Sequence, residues 1–245
     1  MKLNKFTAVG ATLALAVGSV VGIGAAAYAI DVPIDEITVE GDTYPAGQWF
    51  LGSPVGPELS QDETGLTIPG RNQLLYGWSF TGAEGAGTTT AEFTALIEGA
   101  SFEATGDATF QVPVFFDPED TVINEGDALV FTTLRPATTG SPLTSTDWIS
   151  SRALPAFGIA ANTPVPFADI AALFDEAIEL GAAPEILAFG ILVDEGATVL
   201  LNSVTFAGET WTFATPVDPV DPPVEPVDPP AEVPTPIQDP ATFTG

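Results

Sequence analysis

Glycine and proline punctuate this chain so often, 24 and 23 times in 245 residues, that it must fold from short elements joined by turns. After residue 30 the intervening segments are apolar and rich in Val, Ile, Phe, Trp and Thr, the pattern of an antiparallel β protein. Strands are expected at 36–40, 48–51, 73–80, 90–98, 108–116, 128–135, 185–193, 198–206 and 209–213. In the segment 108–116, Phe110, Val112 and Val114 point one way, and Pro113 requires an edge or a bulge. Ala207-Gly208 is a two-residue link between two strands and reads as a hairpin turn, with Trp211 and Phe213 of the second strand facing the core.

One segment has a different period. From Pro164 to Leu180 the apolar residues Phe167, Ile170, Phe174 and Ile178 recur at three- and four-residue steps with acidic residues between them, which predicts one short amphipathic helix. Thr163 suits its cap, Pro164 its first turn, and Gly181 with Pro184 its end. Its place is against an end or edge of a sandwich, where it would shield a strand.

Both termini carry their own signals. Met1-Lys2-Leu3-Asn4-Lys5 precedes an apolar run to Ala27-Tyr28-Ala29, the order of a secretory signal peptide. About 20 apolar residues can also serve as a retained anchor, but the small residues at 27 and 29, followed at once by acidic sequence, favour cleavage after Ala29. No cysteine is present for lipid attachment. From Pro216 onward proline recurs every two to four residues among Asp and Glu, which predicts an extended, disordered spacer. Twenty-five such residues reach on the order of 75 Å. No Leu-Pro-x-Thr-Gly sorting motif follows. The chain thus divides into a signal peptide (1–29), a β-sandwich domain (30–215) and an acidic proline-rich tail (216–245), and is expected to be secreted or cell-surface.

Removing the signal removes both lysines and leaves Arg71, Arg135 and Arg152 as the only side-chain cations against 33 Asp and Glu. Such a polyanion repels nucleic acid and anionic lipid, so neither is expected as a partner. The chain has no His and no Cys, which excludes Ser-His-Asp and Cys-His catalysis and ordinary zinc sites. The loop Gly82-Ala83-Glu84-Gly85-Ala86-Gly87 lacks the lysine of a phosphate cradle. A pair of carboxylates can still hydrolyse a glycosidic bond, although with 33 acids a pair can be nominated anywhere. Calcium is the one metal the composition suits. Asp31, Asp35 and Glu36 form one acidic cluster. Asp117, Glu119, Asp120, Asn124 and Asp127 form another, and neither has EF-hand spacing. The second is weighed as a calcium loop against a solvated turn.

Aromatic residues carry the remaining chemistry. Trp49, Tyr76, Trp78, Trp148 and Trp211 can stack on sugar rings or simply fill a core. Tyr76 and Trp78 share one face of a strand, with Leu75, Gly77 and Ser79 on the other. Trp148, in the turn-rich Ser145-Thr146-Asp147-Trp148, is expected to be the most exposed aromatic. Tyr76, Trp78, Trp148 and Arg152 are accordingly the candidate ligand-binding set.

The stretch Ile186 to Gly196, followed by Thr198 to Phe206 and Trp211-Thr212-Phe213, resembles the closing strands of galactose-binding-like jelly rolls found in secreted bacterial surface proteins. The resemblance covers Pro164 to Phe213. It implies a β-sandwich that binds carbohydrate, in some members with a structural calcium ion. At Asn202-Ser203 the chain departs from the family's acidic residue, so no metal ligand is carried over there.

The expected architecture is therefore an all-β, antiparallel, jelly-roll-like sandwich with one helix. Its expected role is non-catalytic binding of carbohydrate or another cell-envelope component. A self-assembling envelope or matrix protein and a carboxylate-only glycoside hydrolase are the alternatives, and oligomeric state stays open.

Overall fold

The computed structural model describes residues 29–41, 43–53, 55–116 and 131–215. The signal segment up to Tyr28, the tail from Pro216, and the cluster Asp117, Glu119, Asp120, Asn124 and Asp127 lie outside them. In chain order the strands are β1 (Ala29–Asp31), β2 (Thr38–Gly41), β3 (Trp49–Gly52), β4 (Ser60–Asp62), β5 (Gly65–Pro69), β6 (Asn72–Phe80) and β7 (Ser101–Thr105). There follow β8 (Thr109–Phe115), β9 (Phe131–Pro136), β10 (Asp147–Ser150), β11 (Val165–Pro166), β12 (Glu185–Val193), β13 (Thr198–Phe206) and β14 (Glu209–Thr212). Two α-helices, α1 (Thr90–Glu98) and α2 (Phe167–Glu179), are present among the described residues.

The strands form two sheets facing each other in a sandwich. One runs β1-β14-β13-β5-β4, with β7 also on β13; the other runs β11-β10-β9-β8-β12-β6-β3-β2. Pairing is antiparallel except for β1 with β14 and β2 with β3, which are parallel. In the first sheet β13 has three partners because β5 covers Thr198–Leu201 and β14 covers Ser203–Phe206 end to end, leaving β7 the other side. One core lies between the sheets: Leu66, Val199, Leu201, Val204, Phe206 and Trp211 from the first pack with Leu74, Phe110, Val112, Val114, Leu134, Phe189 and Ile191 from the second.

The strands expected at 73–80, 108–116, 185–193 and 198–206 are found within a residue of their expected bounds. The Ala207-Gly208 turn has φ values of 52° and 84°, the two left-handed residues of a type I′ hairpin, and Trp211 and Phe213 are buried. Pro113 is in β8, which lies inside its sheet between β9 and β12. It is tolerated because pairing with β12 breaks between Ile186 and Gly190, opposite Val112 and Pro113, so its missing amide falls in a bulge.

The segment 90–98, expected as a strand, is the helix α1. Alternating Ala91, Phe93, Ala95 and Ile97 fits a strand, but Phe93 and Ile97 are also one helical turn apart and both are buried. The N-terminus decides the matter. Thr89 accepts from the Glu92 amide while the Glu92 carboxylate accepts from the Thr89 amide at 2.9 Å and the Ala83 amide at 2.8 Å.

α2 begins later than expected, with Pro166 rather than Thr163 at its cap, and ends at Leu180 and Gly181 as expected. It packs against α1 at the β10–β11 edge of the eight-stranded sheet, the edge location foreseen for it. Phe93 and Phe174 stack at 4.3 Å, and Thr90 donates its amide to Asp175 and its hydroxyl to the Ala171 carbonyl.

Burial pushes the Glu92 carboxyl up and the charge of Asp175 adds to this, but the hydrogen bonds from Thr89 and Ala83 outweigh both and hold it below its ordinary 4.5. A depressed folded-state value contributes stability above about 4.5 that is lost as pH falls through the folded value. Glu92→Gln is therefore expected to lower the urea midpoint at neutral pH, with the gap to the parent closing as pH falls below this range. An equal gap at both pH values would count against it.

Gln61 on β4 fixes where the chain ends lie. Its amide group donates to the carbonyls of Val32 (2.8 Å) and Phe213 (2.7 Å), and its oxygen accepts from the Ile34 amide (2.8 Å). The Thr215 amide then bonds to the Asp62 carbonyl, which places the last described residue at the β4 edge of the six-stranded sheet.

Candidate functional site

The sequence-predicted ligand set is not brought together. Trp148, expected at the surface, is fully buried on β10: α1 and α2 close over it, with Phe167 at 5.2 Å and Phe93 at 6.2 Å. Tyr76 and Trp78 point into the inter-sheet core at a separate place and are half-buried there. Tyr76 lies 4.8 Å from Trp211 and 5.4 Å from Phe189, while Trp78 lies 5.6 Å from Phe206. Burial, with the charge of Glu209 as a second cause, pushes the Tyr76 phenol above its ordinary 10.0, as expected of a ring held in a core. The indole N–H groups of Trp49, Trp78 and Trp148 are buried without a hydrogen-bond partner, so these rings serve packing.

Arg152 belongs to the opposite side of the eight-stranded sheet. Its guanidinium lies 5.0 Å from the centre of the Phe131 ring. The backbone beneath it is pinned. Its amide donates to the Thr132 hydroxyl, its carbonyl accepts from the Ser150 hydroxyl at 2.6 Å, and Thr132 and Ser150 bond to each other at 2.7 Å within the core. The Ser151 hydroxyl accepts from the Thr133 amide, extending the β9–β10 pairing by one residue.

Strand alternation shows what else shares that outer face. On β9, Leu134 enters the core, so Phe131, Thr133 and Arg135 point out. On β8, Phe110, Val112 and Val114 enter the core, so Gln111 and Phe115 point out. Phe115 meets Phe131 edge-on at 5.4 Å, and Tyr44 connects Phe131 (5.9 Å) to Phe50 (5.8 Å). Phe50, Leu75 and Ala188 make a second, smaller apolar cluster on this face.

Gln111 and Arg135 are the next residues along from the Val112–Leu134 pair, and Gly190 is the partner of Gln111 on β12. Gln111 is 1% exposed and its amide nitrogen, like the indole nitrogens of Trp49, Trp78 and Trp148, is buried with no acceptor. Two of the three arginines thus share one face with an aromatic row. Arg71 sits apart in the β5–β6 turn at φ 64°.

Arg135 and Arg152 were both legible in the sequence as two of three cations, though only Arg152 was placed in the ligand-binding set. Phe131, Gln111 and Phe115 were not singled out, and the signal that would have found them is the residue parity already read for Phe110, Val112 and Val114.

Ala29, the expected cleavage position, opens β1 opposite Thr210. Asp31 accepts from the Thr212 hydroxyl at 2.6 Å, and among the described residues no three acidic groups converge as a metal site. No helix among them is long and apolar enough to cross a membrane. No family model, curated protein or solved structure matches the chain.

Proposed function

We propose that the domain is a non-catalytic, extracytoplasmic binding module for carbohydrate, and that its ligand lies across the outer face of the eight-stranded sheet. The observation that carries this reading is the row Phe115, Phe131 and Arg152, half-buried or exposed. Flat rings offer apolar faces to the C–H faces of a sugar, while guanidinium donors fix its oxygens. The signal-like residues 1–29 support export. The absence of His and Cys excludes Ser-His-Asp and Cys-His catalysis, which supports a binding role.

Residues 30–245 are expected to retain one or more glycans on an array and to bind them in isothermal titration. Phe131→Ala and Arg152→Ala are each expected to weaken binding about tenfold, roughly the loss of one stacked or charge-assisted contact. Binding of no glycan, or binding indifferent to both substitutions, would overturn the proposal.

A further inference from the structure

Resting on that reading, we infer that the saccharide is anionic, bearing carboxylate or sulfate groups, and that Arg135 and Arg152 receive them. After the signal the chain has three cations in all, and two of them stand on one face of one sheet. Phe131 and Arg135 are four residues apart on β9, about 13 Å along the strand. Arg152 lies over the Phe131 end. The two guanidinium groups therefore bracket a strip long enough for an oligosaccharide rather than a single ring.

Neither arginine is neutralised by a carboxylate among the described residues, although the chain carries 33 acidic residues. Two carboxylates share this face: Glu185, the strand partner of Phe115, and Asp147 on β10. Glu185 accepts from Ser79 at 2.7 Å, and Asp147 is exposed at the start of β10.

The arrangement of donors matters as much as the charge. A neutral sugar presents hydroxyls that both donate and accept, whereas a carboxylate or sulfate only accepts. What this face offers to solvent is donors, the two guanidinium groups of Arg135 and Arg152. The Arg152 guanidinium, 5.0 Å from the centre of the Phe131 ring, is exposed and can donate to an oxyanion. Such a set is complementary to oxyanions.

The rest of the molecule imposes a sign on the salt dependence. The many surface carboxylates repel an anionic polymer at long range, while the arginine contacts act at short range. Added salt should first strengthen binding by screening the repulsion, and weaken it only at high concentration.

The test uses residues 30–245 in isothermal titration against polygalacturonate, its fully methyl-esterified form, a sulfated galactan and the same galactan desulfated. Binding to polygalacturonate or to the sulfated galactan at least about tenfold tighter than to the neutral counterpart is expected, and which of the two binds identifies carboxylate or sulfate as the group recognised. Arg135→Gln and Arg152→Gln should each remove most of that preference, and Arg71→Gln should leave it intact. Thermal melts confirm that each variant folds, and if Arg135→Gln does not, Arg152→Gln alone decides. Equal binding of charged and neutral polymers, or a preference unchanged in Arg152→Gln, overturns this inference and leaves the carbohydrate reading standing. Failure of every polymer here and of every glycan on the array overturns both.

Discussion

Phe189→Ala is expected to cost about 3–5 kcal/mol, the usual range for deleting a fully buried aromatic ring. Phe189 is completely buried on β12 and stands at the centre of the inter-sheet aromatic cluster. It stacks on Phe206 at 4.0 Å and reaches Trp211 at 5.3 Å, Tyr76 at 5.4 Å, Trp78 at 5.8 Å and Trp49 at 5.9 Å. Those rings come from both sheets, so the hole left by alanine would open in the middle of the sandwich. Its walls are β-strands held in register on both sides, which limits collapse and keeps the cost high. Against a total stability of about 5–15 kcal/mol, the variant should be marginal. Urea unfolding followed by tryptophan fluorescence should show a lower midpoint with an unchanged slope. Phe189→Leu, which refills most of the volume, should recover most of the loss. A midpoint shift no larger than that of the half-buried Phe131→Ala would show that the cluster is not what holds the sheets together.

How far the sequence revealed this fold depends on which physical signal each segment carries. β12, β13 and β14 could be read because their apolar residues are many and their turn is chemically marked by Gly208. β4, with Ser60, Gln61 and Asp62, could not: it lies at an edge, its pattern is mostly exposed, and its worth lies in the Gln61 hydrogen bonds to Val32, Ile34 and Phe213. β7 was missed for the same reason, since Ser101, Glu103 and Thr105 are exposed on a strand whose only partner among the described residues is β13. In 90–98 two periods coexist, and the capping box from Thr89 to Glu92 was the local clue that favours a helix.

The candidate site was legible in composition and hidden in geometry. Scarcity alone marked Arg152, because few cations stand in the chain. Trp148 was misplaced because Ser145, Thr146 and Asp147 look like surface, while what buries it comes from Phe93 and Phe167, one 55 residues before it and the other 19 after. Tyr76 and Trp78 were correctly given a common face, with Leu75 on the other. That Leu75 belongs to the outer apolar cluster follows from the same alternation. Which of the two faces meets solvent is set by how the sheets pair, and no local pattern contains that.

Gly190→Ala should be nearly as damaging as removing Phe189, although it adds only a methyl group. The glycine has no left-handed φ, so the requirement is space rather than backbone conformation. A Cβ at this position would run into the Leu74 carbonyl oxygen of β6, and the Leu75 Cα lies 2.8 Å away. These are backbone atoms of the neighbouring strand in the middle of the sheet, so no side-chain rotation can relieve the contact. Overpacking typically costs about 1–3 kcal/mol, and this case should lie at or above the upper end because relief requires β6 and β12 to separate. Gly85→Ala provides the contrast. Gly85 has φ 71° with nothing within 4 Å, so alanine there should cost only the left-handed penalty, roughly 1–2 kcal/mol. Hydrogen exchange should separate the two: faster exchange of the β6 and β12 amides in Gly190→Ala, and no change there in Gly85→Ala. Gly190 also pairs with Gln111 of β8, so a shift of β12 that relieves the contact would disturb the register of the β8–β9 face that carries Phe115, Phe131 and Arg135. Gly190→Ala should then lose ligand affinity even below its melting temperature, and a folded variant with full affinity would show that this face takes no part in binding.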